Sequence, residues 1–147
     1  MNYTLLNLNT PVELINEAMQ NGIVSSIGIK ITGVEYGLVE GFFILSNKNC
    51  RPDGILHGGT NLAFAETLAG LGSMLITDLQ EYDVLGTHVS GSHTGMLKTG
   101  KAKGEARIVH RGNKTHVWNV DVRNEEGRLI STIHVTNMIV KRNGRTE

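Results

Sequence analysis

The sequence predicts an α+β fold in which one antiparallel sheet of about six strands curls around a single long helix. Three observations carry that prediction. One segment, roughly Gly59 to Thr77, is apolar on nearly every side and too long for a strand. The segments around it alternate apolar and polar residues with a period of two. The later segments are separated by Arg111-Gly112-Asn113-Lys114 and Asn124-Glu125-Glu126-Gly127, which carry the Gly and Asn that hairpins use.

In chain order, Thr10-Pro11-Val12-Glu13 reads as a helix start, with Thr10 as cap, Pro11 in the first turn and Glu13 closing a capping box. Leu14, Ile15, Ala18 and Met19 form its inner face, and Gly22 is the expected stop. From Ile27 to Ser46 the period-two pattern gives two strands joined by a turn near Tyr36-Gly37. A polar loop, Asn47 to Gly54, leads into the long helix, where Gly70 and Gly72 point to close packing because each costs about 1 kcal/mol relative to Ala. After a loop from Asp78 to Asp83 come four extended segments: Val84 to Gly95, Lys101 to His110, Thr115 to Arg123 and Arg128 to Lys141. In the third, Trp118, Val120 and Val122 alternate with more polar neighbours, so that face packs on the helix. Trp118, Phe42 and Phe43 read as core.

With 147 residues the chain fits one domain, 1–147. Its 14 Lys+Arg balance 14 Asp+Glu, so no global field recruits nucleic acid or an anionic membrane. The longest apolar stretch, Leu62 to Ile76, is broken by Glu66, Thr67 and Ser73, which excludes a transmembrane helix. The first nine residues carry no positive charge, and the single Cys50 has no disulfide partner, so a reducing cytoplasm is the expected compartment. No Cys-x-x-Cys or Cys/His cluster offers metal-ligand spacing, and the expectation is a protein without metal or cofactor.

The segment richest in chemistry is Leu56-His57-Gly58-Gly59-Thr60-Asn61-Leu62-Ala63-Phe64-Ala65-Glu66-Thr67. Glu66 is the only acidic residue between Asp53 and Asp78 and sits mid-helix among apolar neighbours. A buried lone carboxylate has a basic partner, a shifted pKa or a task. Gly58 and Gly59 open the same helix, and their amides belong to its unpaired amino-terminal donors, which stabilise an oxyanion. Glu66 lies eight residues beyond Gly58, roughly 12 Å along the axis. One helix cannot bring both to a single carbonyl, so joint action requires two subunits in a symmetric dimer.

His57-Gly58-Gly59 followed by Glu66, in a chain of this element order, resembles the hotdog-fold acyl-CoA thioesterases of the PaaI type, with the nearest likeness to 1,4-dihydroxy-2-naphthoyl-CoA and related thioesterases. The similarity runs from about Ile27 to Val140 and includes Val89-Ser90-Gly91-Ser92-His93 and the stretch from His110 to Trp118. It implies hydrolysis of an acyl- or aroyl-CoA thioester, with Glu66 as nucleophile or general base, the Gly58 amide as donor to the thioester oxygen and His57 supporting that turn. It further implies that Arg51, Gly59, His93, Thr94, Gly95, Met96, His110, Arg111, Gly112, Asn113, Lys114 and Thr115 line the substrate site, and that the homodimer assembles into a homotetramer. Two positions depart from the family pattern: Arg51 stands where relatives place Gln or Asn, and Gly70 where they place Ser or Thr one turn after the glutamate. The alternatives are a hotdog dehydratase or hydratase, against which His-Gly-Gly in place of Pro-Gly counts, and a non-catalytic acyl-CoA-binding module. Lys98 to Lys103 read as solvating, Arg111 and Lys114 as phosphate contacts, and Cys50 as incidental.

Overall fold

The computed structural model describes residues 3–142. After a 3-10 turn at Tyr3–Leu5, α1 (Val12–Met19) and α2 (Gly22–Ile27) lead into β1 (Lys30–Glu35) and β2 (Leu38–Ile44). Then come α3 (Gly58–Leu75), β3 (Tyr82–His93), β4 (Lys101–Arg111), β5 (Thr115–Arg123) and β6 (Leu129–Lys141). The six strands form one antiparallel sheet in the order β1-β2-β4-β5-β6-β3. Helix α3 packs against β2, β3, β4, β5 and β6, which is the hotdog arrangement.

The core lies between α3 and the concave sheet face. Phe64, Leu68 and Leu71 meet Phe43, Trp118, Val120 and Ile133, all at most 2% exposed. The Phe43 and Phe64 rings stand edge to face, 5.0 Å apart at 87°. Truncating Phe64 to Ala would cost about 3–5 kcal/mol. Gly72 lets the Trp118 ring lie against the helix backbone, where any Cβ would collide. Gly70 meets no other element: apart from its own helix, no atom of the described residues lies within 4 Å of its would-be Cβ, contrary to the close packing expected there.

Three local expectations give way to competing interactions. Thr10 does not cap α1; its Oγ1 accepts from the Asn7 amide at 3.0 Å, and Pro11 occupies the cap position without a side-chain bond, so no capping box forms. Gly22, the expected stop of α1, instead opens α2, with the Asn21 side chain accepting from its amide, and α1 is capped at Gln20. Ile27 and Gly28, read as strand, end α2: Gly28 adopts φ 82° as the left-handed C-cap. Ile27, Ile29 and Ile31 are still all buried, so a helix end mimics the period of a strand.

Buried polar groups tie α3 to the sheet. Ser73 Oγ accepts from Trp118 Nε1 at 2.9 Å and from Asn137 Nδ2 at 3.0 Å, and lies 3.1 Å from His116 Nδ1. With both lone pairs engaged, the Ser73 hydroxyl donates to His116 Nδ1, which must be unprotonated. His116 is 2% exposed. Burial first, then the nearby charges of Arg111 and His110, push its pKa below the usual imidazole value.

Because the unfolded chain takes up this proton more readily than the folded one, His116 leaves stability intact above pH about 6.5 and erodes it as the pH falls from there toward its depressed folded value. Urea unfolding measured from pH 8 to pH 5 should therefore lose up to about 1.4 kcal/mol per pH unit from this residue. His116→Asn should flatten that part of the profile; parallel profiles for the two proteins would show that His116 titrates as it does in the unfolded chain.

Candidate active site

The loop before α3 is organised by one side chain. Asn49, 3% exposed, accepts from the Ser46 amide and donates to the carbonyls of Ile27 and Ile44, while its own carbonyl receives the His57 amide and the Thr60 hydroxyl. This fixes where α3 begins. His57 then caps the helix, its Nδ1 accepting from the Gly59 amide at 2.9 Å, and the Thr60 amide donates to the His57 carbonyl at 3.0 Å. The two glycine amides are therefore not equivalent: Gly59 N–H is consumed by the cap, and Gly58 N–H has no acceptor among the described residues.

Gly58 opens onto a cavity of about 570 Å³, lined also by Arg51, Asn61, His93, Thr94, Gly95, Met96, Lys98 and Arg128. That volume suits a small ligand or the acyl end of a larger one. The residues after β3 are brought there by β6: Thr94 and Gly95 amides donate to Ile130 O, and Thr94 Oγ1 to Leu129 O. Gly95, read as the end of a strand, lies just beyond β3 for this reason. Arg51 forms a two-point ion pair with Asp53, and its guanidinium holds the Asp53 carboxyl below the usual carboxylate range. Lys98 and Arg128 have no ion-pair partner among the described residues.

Sequence reading overlooked Arg128 and set Lys98 aside as solvating. Neither lies near Gly58 along the chain. The pairing of His93 with Ser131 places the start of β6 beside the loop after β3, and that register carries both cations to the cavity. Asn49 was overlooked for a different reason: a polar residue in a polar loop gives no sign of being buried.

Glu66 does not line this cavity and is exposed in the single chain. The expectation of a buried carboxylate fails because α3 is not wrapped completely: Leu62, Ala63, Glu66, Thr67, Gly70 and Met74 form a stripe that stays at least partly open beside β3. Glu66 pairs with no Lys or Arg among the described residues. Its Oε1 lies 2.6 Å from the would-be Cβ of Gly86, at the β3 bulge, with Asn137 Oδ1 3.7 Å from the same point. The Thr67 hydroxyl is turned away to the Ala63 carbonyl.

The remaining expected site residues are elsewhere. His110, Arg111, Gly112, Asn113, Lys114 and Thr115 form the β4–β5 hairpin, beside His116 and so beside Ser73. Ser73 is fifteen residues beyond Gly58, about 22 Å along the helix. One chain therefore holds Gly58 with His93 at one end of α3 and the hairpin at the other. Among the described residues no three His, Cys, Asp or Glu side chains converge as a metal site, and no helix is long and apolar enough to cross a membrane.

Residues 53–131 match the family model described as the thioesterase superfamily. The proofreading thioesterase EntH of Klebsiella pneumoniae is 34% identical over 118 residues, covering 80% of this chain and 85% of EntH. The 1,4-dihydroxy-2-naphthoyl-CoA hydrolase of Escherichia coli is 24% identical over 88% of this chain and 94% of its own. A crystal structure of a mutant thioesterase PA1618 from Pseudomonas aeruginosa superposes with a TM-score of 0.89 at 26% identity, covering 94% of this chain and 99% of that one.

The contact at Gly86 is open to direct test. Gly86→Ala puts a methyl where the Glu66 carboxylate sits, so the side chain must swing away. The Glu66 carboxyl 13C resonance should shift while Tm stays within a few degrees of wild type. An unmoved resonance in the folded variant would show that the carboxylate does not rest against β3.

Proposed function

We propose, on the premise that this chain belongs to the thioesterase superfamily and is a thioester hydrolase, that its substrate is an acyl- or aroyl-CoA. The observation that carries the reading is the free Gly58 amide at the amino terminus of α3, facing a cavity of acyl-group size. A thioester carbonyl placed there receives Gly58 N–H as its charge develops, aided by the positive end of the helix. Either Glu66 takes a proton from the water that attacks the carbonyl and passes it to the departing CoA thiolate, or Glu66 attacks directly, CoA leaves as the thiolate and takes a proton from solvent, and water then hydrolyses the acyl-glutamate anhydride.

Glu66 reaches that carbonyl only from a second copy of the chain. The twelve-residue edge strand β3, Tyr82–His93, contains no Lys, Arg or Pro and leaves most of its residues exposed, the form of edge that invites pairing. Pairing two β3 edges sets the open stripes of two α3 helices side by side, bringing Glu66 of each copy toward Gly58 of the other. A homodimer with two shared sites follows, and further pairing into a tetramer is compatible with it. Lys98 and Arg128 are unpaired at the cavity and suit the phosphates of CoA; Arg111 and Lys114 can add to them only across the same interface. A cytoplasmic setting fits a CoA substrate and the unpaired thiol of Cys50.

Two measurements test this. Thiol release from a panel of short, long and aromatic acyl-CoAs should reveal hydrolysis, and Glu66→Gln should lower kcat by about 10²-fold or more with KM little changed. Near-normal turnover in a folded Glu66→Gln protein would leave the glutamate a structural residue. A hydratase would instead act on enoyl-CoA without releasing thiol, and a binding module would do neither.

The shared site is tested by mixing subunits. Gly58→Ala and Glu66→Gln proteins, each nearly inactive alone, should regain activity after exchange, because a mixed dimer contains one site with both groups intact. No recovery, with exchange verified by mass, would place both groups in one subunit.

A further inference from the structure

Beside Gly58 stands a chain of hydrogen bonds that reaches into the interior. Asn61, on the first turn of α3 and 4% exposed, donates from Nδ2 to Ser131 Oγ at 2.7 Å. Ser131, on β6 and fully buried, lies with Oγ 2.8 Å from His93 Nδ1. The His93 ring presents its other nitrogen to the cavity: Nε2 is 2.6 Å from the would-be Cβ of Gly58, so only glycine admits the ring there. Asn61 Oδ1 is buried and has no partner among the described residues.

Proton counting gives this chain a direction. An amide nitrogen can only donate, so Ser131 Oγ accepts from Asn61. The Ser131 hydrogen has one acceptor within reach, His93 Nδ1, and leaving it unmade would strand a donor in a buried place. Nδ1 is then bare, and the neutral ring carries its hydrogen on Nε2, facing Gly58. Reversing the Asn61 amide would leave two N–H donors unpartnered in place of one N–H and the carbonyl oxygen, and an orphaned N–H is the less favourable of the two.

We propose that Asn61 and Ser131 are positioning residues that hold His93 in the Nε2–H tautomer, so that a second N–H donor stands beside the Gly58 amide at the thioester carbonyl. The inference rests on the thioesterase reading for the identity of the carbonyl, but not for the tautomer. Asn61→Asp would reverse the relay. An aspartate oxygen accepts from Ser131, whose oxygen then accepts from His93 Nδ1–H, and a bare Nε2 lone pair faces the substrate oxygen.

Side-chain 15N spectra at pH 8 of protein labelled at histidine decide the first point. Wild type should show His93 with a protonated Nε2 and a bare Nδ1; the opposite assignment overturns the proposal whatever the variants do. In Asn61→Asp the pattern should invert, and in Ser131→Ala both tautomers should be populated. Each of these variants should lower kcat about 10-fold or more with KM within about twofold, the sign of a group acting mainly in the transition state. Ser131→Thr keeps the hydroxyl and should retain the wild-type tautomer and most of kcat. If Asn61→Asp and Ser131→Ala fold, lower Tm and leave both kcat and the tautomer unchanged, the chain of bonds is only structural and the proposal fails. A wild-type protein with the expected tautomer but no hydrolysis of any CoA thioester would refute the thioesterase reading and leave the relay standing.

Discussion

The fold depends on placing one helix at one height and one rotation inside a curved sheet. Apolar burial does not fix either quantity, because it is proportional to area and indifferent to direction. Helix α3 is apolar nearly all round, so on that basis alone it could turn or slide at little cost. Its buried polar residues remove that freedom. Thr60 is held by the Asn49 carbonyl, Asn61 by Ser131, and Ser73 by His116, Trp118 and Asn137. Each bond tolerates only a few tenths of an ångström, and they are spread from the first turn to the last. An unmade bond at any of them strands a buried polar atom at about 1–3 kcal/mol, so the correct seating is favoured over its neighbours.

That seating decides what the helix can offer. With Phe64, Leu68 and Leu71 turned into the sheet, the stripe carrying Glu66 and Gly70 is turned out beside β3. The first turn is held against Asn49 and β6, which leaves Gly58 N–H as the one amide of the Gly-Gly pair without an acceptor. The same rotation that completes the core leaves the Glu66 carboxylate and the free Gly58 amide about 12 Å apart on one rod. The unprotected β3 edge and the open stripe lie side by side, so on the proposed reading one second copy would cover both.

Much of this was legible in the sequence, and the parts that were not have identifiable causes. The long helix, the β4 to β6 meander and the inward face of β5 follow from periodicity, and Thr115–Arg123 is found with the expected bounds. The start of the chain was misread because Asn7, Thr10 and Asn21 make short-range side-chain bonds that compete with regular capping, and because Ile27, Ile29 and Ile31 keep a strand-like spacing across a helix end. The burial of Glu66 was misjudged because a sequence shows apolar neighbours but not which neighbour faces a gap. Arg128 and Ser131 escaped notice and Lys98 was set aside because each acquires its position from the pairing of β3 with β6, whereas nothing in a polar loop marks Asn49 as buried. His116 lies within the expected strand Thr115 to Arg123, and its burial becomes visible only when its place opposite Ser73 is known.

The two ends of the proposed site differ in how firmly one chain builds them. At Gly58 the backbone is fixed by the His57 cap and Asn49, and the facing ring by Ser131, so the oxyanion end is assembled before any partner or substrate arrives. At Glu66 the neighbours are small: Ala63 and Gly70 lie one turn to either side, Gly86 lies across, and the Thr67 hydroxyl is turned back to its own helix. Among the described residues no donor holds the carboxylate. On the proposed reading its aim must come from the second subunit or from the substrate itself, and the space left open at Gly70 is where that contact is made. Electrostatic preorganisation acts where charge develops, on the carbonyl oxygen, and the attacking group must likewise be brought to a near-attack position before the bond can form. On the proposed reading one chain supplies the donor end ready-made and the second copy supplies the aim of the carboxylate, which would tie turnover to assembly of the dimer.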